Sequence, residues 1–257
     1  MRRLTTRAVH GLLFGVLACG IAGAAEAAEI KVASAGAVRA IVTELSQAFE
    51  KETGHKVSLA FGTVGVTRQR LASEPVDVVI MSEVAIDEAI KQGTVVTGSR
   101  TDIARTGMGV GVRDGAPKPD IATSEAFKRA LLAAKSITYV DPAQGATSGI
   151  HFAGILKAFG IEEAMKPKTT LVPGGYPAEL VAKGEVEMVV HQISEIVPVK
   201  GVTLVGPLPK DVQKITIYST GIAAKAAAGD VARAFVAYLI APSVRSKFAA
   251  AGLDYKE

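Results

Sequence analysis

The run VDVVIM, residues 76–81, decides the fold because it is apolar almost throughout. A strand with one buried face alternates apolar and polar residues, whereas a strand of a parallel sheet covered by helices on both faces does not. We therefore predict that this run is a central strand of an α/β fold.

The segments around this run supply the helices and neighbouring strands that such a sheet needs. On its N-terminal side, strands are predicted at Glu29–Ala33 and His55–Phe61, and helices at Ala37–Glu52 and Val66–Ala72. A third helix is predicted at Val84–Gln92. This β-α-β-α-β-α order is typical of a mostly parallel sheet with helices on both faces.

A second β/α set is predicted after the proline- and glycine-rich loop Gly115–Pro119, which follows a glycine-spaced strand at Thr106–Val112. Its predicted strands, including two that lead back, are Ser136–Val140, Thr169–Val172, Val186–Val190, Val202–Leu208 and Ile215–Tyr218. The predicted helices, including two closing ones, are Ser124–Ala134, Ile150–Phe159, Ala178–Lys183, Val231–Ile240 and Ser243–Ala250.

This pattern predicts two lobes, each a mostly parallel sheet flanked by helices. The first lobe takes residues 29–112 and 218–257, and the second takes residues 113–217. The chain then crosses between the lobes twice, near Val112 and near Ile217, and we expect the two crossings to form a hinge.

The first 28 residues are typical of a secretory signal peptide. Arg2, Arg3 and Arg7 precede an apolar run, Gly11–Ala22, and small residues follow it. The run is about twelve residues long, shorter than the roughly twenty that span a bilayer. We expect export to the periplasm, with a membrane anchor or a lipid on Cys19 as the alternatives. Cys19 is the single cysteine of the chain, so the exported part has no disulfide.

Charge and motifs argue against several classes of function. Removal of the first 28 residues lowers the net charge from +4 to about +2 and leaves no basic block, so we expect no nucleic-acid partner. The histidines outside this segment, His55, His151 and His191, match no compact metal motif, so we expect no metal and no cofactor. Neither a glycine-rich phosphate motif nor a GxSxG nucleophile motif is present.

Four small or glycine-rich turns lie between a predicted strand and a predicted helix. Ligands of open parallel sheets bind at such turns, where unpaired backbone N–H groups favour an anion. A single turn of this kind is also explained as a helix cap. Because the turns come from both lobes and His191-Gln192 follows another strand, we predict one anion site in a shared cleft. The turns are Ser34-Ala35-Gly36, Gly62-Thr63-Val64-Gly65, Thr147-Ser148-Gly149 and Gly174-Gly175-Tyr176.

Three arginines, Arg39, Arg68 and Arg70, lie in the first turns of two predicted helices. A cation at this place opposes the helix dipole. The arginines therefore indicate a carboxylate ligand, salt bridges, or a solvated helix face.

Five longer stretches resemble the periplasmic molybdate-binding proteins of ABC transporters in their order and spacing. The resemblance covers nearly the whole exported part, and it implies the type II periplasmic binding fold, with a cleft that holds an oxyanion by hydrogen bonds. The stretches are VASAGAVRAI (Val32–Ile41), TVGVTRQRL (Thr63–Leu71), PVDVVIMSE (Pro75–Glu83), DPAQGATSGIHF (Asp141–Phe152) and AKGEVEMVVHQISE (Ala182–Glu195).

The resemblance also implies ligand-binding residues, some of which depart from the family's pattern. Gly36 stands where the family usually has a serine, Thr63 and Val64 where it often has paired serines, and Gln192 where it has a ligand-touching tyrosine. These departures favour a different small anion, such as an organic carboxylate. The implied ligand-binding residues are Ser34, Gly36, Thr63, Val64, Ser148, Tyr176, His191 and Gln192.

Two functions of different class follow from the resemblance. The first, which we expect, is a monomeric binding protein whose lobes close on a molybdate-like oxyanion or an organic carboxylate and deliver it to an inner-membrane ABC permease. The second is an enzyme on the same fold, similar to aconitate isomerase, which interconverts cis- and trans-aconitate. Such an enzyme needs a base near the substrate, and His151 and His191 are the candidates.

Overall fold

The computed structural model describes residues 27–253, so the predicted signal peptide lies almost wholly outside the described residues. No helix in the described part is both long enough and apolar enough to cross a membrane. The strands are β1 Glu29–Ala35, β2 Lys56–Gly62, β3 Val78–Ser82, β4 Thr101–Thr106, β5 Met108–Arg113, β6 Ile137–Val140, β7 Thr169–Val172, β8 Met188–Gln192, β9 Val202–Pro207 and β10 Thr216–Ile222. The α-helices are α1 Arg39–Thr53, α2 Val64–Ser73, α3 Glu83–Lys91, α4 Ser124–Ala133, α5 Thr147–Ala158, α6 Glu162–Met165, α7 Ala178–Ala182, α8 Ile193–Ile196, α9 Gly229–Leu239 and α10 Arg245–Ala250.

The strands form two five-stranded sheets of matching design. Their orders are β2-β1-β3-β10-β4 and β7-β6-β8-β5-β9. In each sheet the first three strands are parallel, and the fourth, β10 or β5, runs antiparallel to both of its neighbours. The sheets are therefore mixed, each with a parallel half, and the predicted two-lobed α/β fold is confirmed.

The chain passes from the first sheet to the second at Gly107, between β4 and β5. The change comes one strand earlier than the predicted crossing near Val112, because the predicted strand Thr106–Val112 is in fact the end of β4 followed by β5. The strand β4 itself was not predicted, since its sequence TDIART has neither an apolar run nor clear alternation. The chain returns to the first sheet at β10, close to the predicted crossing near Ile217.

Both faces of β3 are covered, as its apolar run predicts. Val78 and Ile80 pack with residues of α1 and α9 on one face, while Val79 and Met81 pack with residues of α3 on the other. All four side chains are fully buried. Helices on both faces therefore explain why the run shows no alternation.

The strand β8 has the same construction in the second sheet. Met188 and Val190 belong to a cluster with α4 and α5, and Val189 to a cluster with α7 and α8. The strand does not end at Val190 as predicted, because His191 and Gln192 continue the pairing with β5. Both polar side chains are buried, at 3% and 1% exposure. Two buried polar residues thus stand at the end of an otherwise apolar strand.

Candidate functional site

A cleft between the two lobes contains most of the predicted site. It encloses about 400 Å³, including the space open to solvent. Its lining comes from the ends of β1, β2, β6 and β8, from the starts of α1, α2 and α5, from the loop after β7, and from α8 and β10. Six of the eight predicted ligand-binding residues line it, and they are Gly36, Thr63, Val64, Ser148, His191 and Gln192.

The other two predicted residues do not line this cleft. Ser34 is fully buried, and its hydroxyl donates to the Ala35 carbonyl oxygen at 3.1 Å. Tyr176 stands beside the cleft, where its ring faces the guanidinium of Arg39 with 5.6 Å between Cζ and the ring centroid. Arg39 also lines the cleft, although the sequence indicated it only as one of three basic residues at helix starts.

The start of α5 brings backbone donors to the cleft. The helix begins at Thr147, three residues before its predicted start, so Ser148 lies in its first turn. The first N–H groups of a helix have no partner within the helix and favour an anion. A Cβ on Gly149 would lie only 2.1 Å from the Val140 carbonyl oxygen, so a glycine is needed for α5 to start this close to the end of β6.

The start of α2 forms the opposite wall and touches the second lobe. Thr63 caps α2 by accepting a hydrogen bond from Val66 N at 3.1 Å, and its hydroxyl donates to the Gln144 carbonyl oxygen across the cleft. Gly65 N donates to the Gly145 carbonyl oxygen at 3.2 Å. A Cβ on Gly65 would lie 2.6 Å from the Gln144 carbonyl oxygen. The two lobes thus meet directly, and a side chain at Gly65 would hold them apart.

His191 contacts both Ser148, at the start of α5, and Glu195, in α8. Its Nδ1 is hydrogen-bonded to Ser148 Oγ at 2.9 Å, and its Nε2 lies 3.1 Å from Glu195 Oε2. The second contact is close enough for an ion pair, but its angles are not those of a hydrogen bond, so Nε2 lacks a hydrogen-bond partner among the described residues. We regard this contact as electrostatic, and it holds the imidazole and the carboxylate side by side.

Glu195 is a cleft-lining residue that the sequence reasoning missed. It lies in α8, four residues after His191, and is only 6% exposed. Its Oε1 would be 2.8 Å from a Cβ built on Gly36 of the first lobe. The carboxylate therefore fills the space that a side chain at Gly36 would need. The available signal was that HQISE follows directly after an apolar strand, so that Glu195 falls in the first turns after the strand end, where ligand sites of such sheets lie.

Gln192 bridges to the first lobe. Its Nε2 donates to Thr216 Oγ1 and to the Tyr218 hydroxyl oxygen, both at 3.3 Å. Its Oε1 is buried and has no hydrogen-bond partner in the described part of the chain. A buried acceptor without a partner costs free energy, so this oxygen is available to a donor on a ligand.

Two tyrosines at the cleft have raised pKa values. Burial and then the negative charge of Glu195 raise the pKa of Tyr176 to about 12, with Arg39 opposing the rise. Burial and Glu195 also raise the pKa of Tyr218 well above its usual value, and the hydrogen bond from Gln192 opposes this. Both phenols keep their protons at neutral pH and can donate hydrogen bonds. Tyr218 lines the cleft, although the sequence marked it only as the end of a strand.

The remaining predicted candidates lie elsewhere. His151 does not line the cleft, and its Nε2 contacts the Val212 carbonyl oxygen at 2.9 Å, so the structure does not favour it as the candidate base. Arg68 pairs with Glu88 at 2.6 Å, and Arg70 lies 4.0 Å from Glu74, the residue that follows α2. Residues 27–253 contain no group of three or more side chains suited to hold a metal ion.

Comparison with known proteins establishes the family. Residues 30–254 match the bacterial extracellular solute-binding proteins. The chain belongs to this family. This solute-binding protein is 33% identical to aconitate isomerase from Pseudomonas sp, over 98% of this chain and 96% of that protein. It is also 33% identical to a molybdate-binding protein of Azotobacter vinelandii, over 74% of this chain and 73% of that protein.

The fold of this solute-binding protein is shared with solved structures. The periplasmic molybdate-binding protein of Azotobacter vinelandii superposes with a TM-score of 0.71 at 19% identity, covering 89% of this chain and 100% of that chain. The family and this shared fold confirm the resemblance drawn from the five sequence stretches, and they support a binding role for the protein.

Proposed function

We propose that the cleft isomerises a small unsaturated polycarboxylate of the aconitate type. One observation carries the proposal. Glu195 is buried in a cleft lined by helix starts, with one carboxylate oxygen beside His191 and the other facing the opposite wall at Gly36. A protein that only binds an anion gains nothing from a buried negative charge there, because like charges repel. An enzyme that transfers a proton needs such a base.

The chemistry of aconitate explains why one base suffices. Its methylene carbon lies between a carboxylate and the carbon–carbon double bond, so loss of a proton gives an anion delocalised over the allylic system. Breaking this C–H bond sends the proton to the Glu195 carboxylate. Its return to the former vinylic carbon forms a new C–H bond and moves the double bond. Because both end carbons carry a carboxylate, the product is again aconitate, now free to have the other geometry.

The neighbouring residues would position this base and the substrate. The contact of Oε2 with His191 leaves Oε1 as the oxygen that faces the cleft. Ser148 fixes the imidazole through its hydrogen bond to Nδ1. The first N–H groups of α2 and α5, together with the protonated phenol of Tyr218, would stabilise the negative charge that spreads over the substrate.

Turnover is the direct test. Purified protein is incubated with cis-aconitate or trans-aconitate in deuterated water, and proton NMR follows both the other isomer and the loss of carbon-bound protons. We expect interconversion with deuterium entering the end carbons. Glu195→Gln should lower the rate by about 100-fold or more, since general-base catalysis contributes roughly that much. It should still bind tricarballylate, the saturated analogue that cannot react.

Glu179→Gln is the matched control, because Glu179 is an exposed carboxylate on α7 outside the cleft lining. It should turn over like the parent. A parent protein that binds tricarballylate but does not interconvert the aconitates would contradict the isomerase.

That result would favour the second candidate, a periplasmic binding protein that delivers an organic carboxylate to an ABC permease. The match to the solute-binding family and the molybdate-binding relative support it. A thermal-shift screen of molybdate, sulfate and di- and tricarboxylates identifies its ligand, which should stabilise the fold by about 2.7 kcal/mol at 100 times its Kd. We expect the carboxylates to bind better than molybdate, because Glu195 would repel a compact dianion.

A further inference from the structure

We propose that Arg39 binds a carboxylate group of the ligand, and that one aromatic ring from each lobe holds its guanidinium in place for this purpose. The inference rests on the proposed function only in taking the ligand to be a polycarboxylate. It does not require that the ligand be turned over.

The geometry of Arg39 places it between the lobes. Its Cζ lies 4.8 Å from the ring centroid of Phe61, at the end of β2, and 5.6 Å from that of Tyr176, in the loop after β7. Both distances are those of cation–π contacts. Neither ring offers a carboxylate, and the planar guanidinium has five N–H donors in a fork that suits a carboxylate with two parallel hydrogen bonds.

The charges around Arg39 favour an anionic ligand. Among the described residues that line the cleft, Arg39 is the only lysine or arginine, and it forms no ion pair with an acid of the described chain. Arg68 and Arg100, by contrast, each pair with carboxylates. A cation that lies in a cleft and has no acidic partner there can balance the charge of an anionic ligand.

The position of Arg39 in its helix supports the same reading. It is the first residue of α1, and the first turn of this helix contains no acidic residue. A positive charge at a helix start is unfavourable because it opposes the dipole. A carboxylate bound to Arg39 would reverse this, since the anion would lie close to both the guanidinium and the helix start.

The cleft therefore has a positive and a negative region. Tyr176 is affected by both charges, because Glu195 raises its pKa while Arg39 lowers it. If one carboxylate of the ligand binds Arg39, the negative charge of that carboxylate stays away from Glu195. The neighbouring carbon of the ligand can then approach the Glu195 carboxylate without bringing a second negative charge against it. Arg39 would thus select polycarboxylates and set their orientation.

Calorimetry with tricarballylate tests the inference without any turnover. We expect Arg39→Gln to weaken binding by roughly 10- to 100-fold, the usual range for loss of a charge-assisted hydrogen-bonded pair. Arg68→Gln removes the same charge from a residue outside the cleft that already has an acidic partner, and it should change Kd less than about 3-fold. Arg39→Lys keeps the charge but loses the flat fork, so it should recover only part of the affinity.

The outcomes separate this inference from the proposed isomerase. Equal losses in Arg39→Gln and Arg68→Gln, or full affinity in Arg39→Lys, would overturn the carboxylate grip. A parent that binds no tricarballylate would overturn it too. A parent that binds tricarballylate, weakens as expected in Arg39→Gln, and does not convert aconitate would support the grip while removing the isomerase.

Discussion

The strands β3 and β8 occupy equivalent places in the two sheets but end in different chemistry. Each is the third strand of its sheet and lies between a parallel and an antiparallel neighbour. The last two residues of β3 are Met81 and Ser82, and those of β8 are His191 and Gln192. Met81 is fully buried in an apolar cluster beside α3, whereas His191 is buried against a serine and a carboxylate.

This difference shows that the two lobes share one architecture but contribute different groups to the cleft. The first lobe brings backbone donors at the start of α2, the space beside Gly36 and the positive charge of Arg39. The second lobe brings the groups that can carry a proton, His191 and Glu195. In the proposed function, the helix starts of both lobes and Arg39 bind the anion, and Glu195 of the second lobe acts on it.

The largest effect on stability is expected when the chemistry of β8 is moved to β3. Met81→His should lower the free energy of unfolding by about 2–4 kcal/mol, because it places an unpaired polar ring in an apolar cluster. Urea denaturation measures this value. A loss below about 1 kcal/mol would show that the end of β3 tolerates polar groups, and the contrast between the two strands would then not be one of packing.

The reciprocal change should affect function more than stability. His191→Met removes one unpaired atom, Nε2, but leaves Ser148 Oγ and the buried Glu195 carboxylate without their neighbour, so we expect a stability loss of about 1–2 kcal/mol. Aconitate turnover should fall by roughly 10- to 100-fold, because Glu195 loses the neighbour that positions it. An unchanged turnover number would contradict a positioning role for the imidazole.

A smaller effect is expected at Gly36, where the two lobes share one space. In Gly36→Ala the new Cβ would be 2.8 Å from Glu195 Oε1, so the carboxylate must shift. We expect turnover to fall by about 10-fold, in the range that small misplacements of a catalytic group cause. Gly154→Ala is the control, since its Cβ would meet nothing within 4 Å. As a helical glycine on α5, it should gain about 0.5–1 kcal/mol of stability and keep its activity.

Local sequence patterns were enough to predict most of the fold. The run at residues 76–81 indicated a doubly covered strand, and the glycine-rich turns indicated where strands meet helices. The strand β4 was missed because its residues carry no periodic signal and its pairing with β10 is a long-range contact. The end of β8 was placed at Val190 because the sequence does not show that two polar residues continue the pairing with β5.

The site was predictable where it is made of backbone and less so where it depends on tertiary contacts. Gly36 and Thr63 were found because their turns have local signatures. Glu195 was missed because its burial depends on the other lobe leaving room at Gly36. Arg39 was noticed only as a charge at a helix start, since its two aromatic neighbours come from distant parts of the chain.

The smallest expected effect is on the titration of Tyr176, and it tests whether the charge of Glu195 reaches the ring that lies beside Arg39. The pKa of Tyr176 is raised from 10.0 to about 12, and Glu195 is a named cause after burial for both Tyr176 and Tyr218. Because the folded protein holds the Tyr176 proton more tightly than the unfolded chain, the stability that Tyr176 contributes is complete below about pH 10 and is lost as the pH rises through 12. Phenolate absorbance against pH should show Tyr176, identified by its absence in Tyr176→Phe, ionising late. In Glu195→Gln its midpoint should move down toward 10 but not reach it, since burial remains. A midpoint that does not move would show that the charge of Glu195 does not reach the Tyr176 ring beside Arg39.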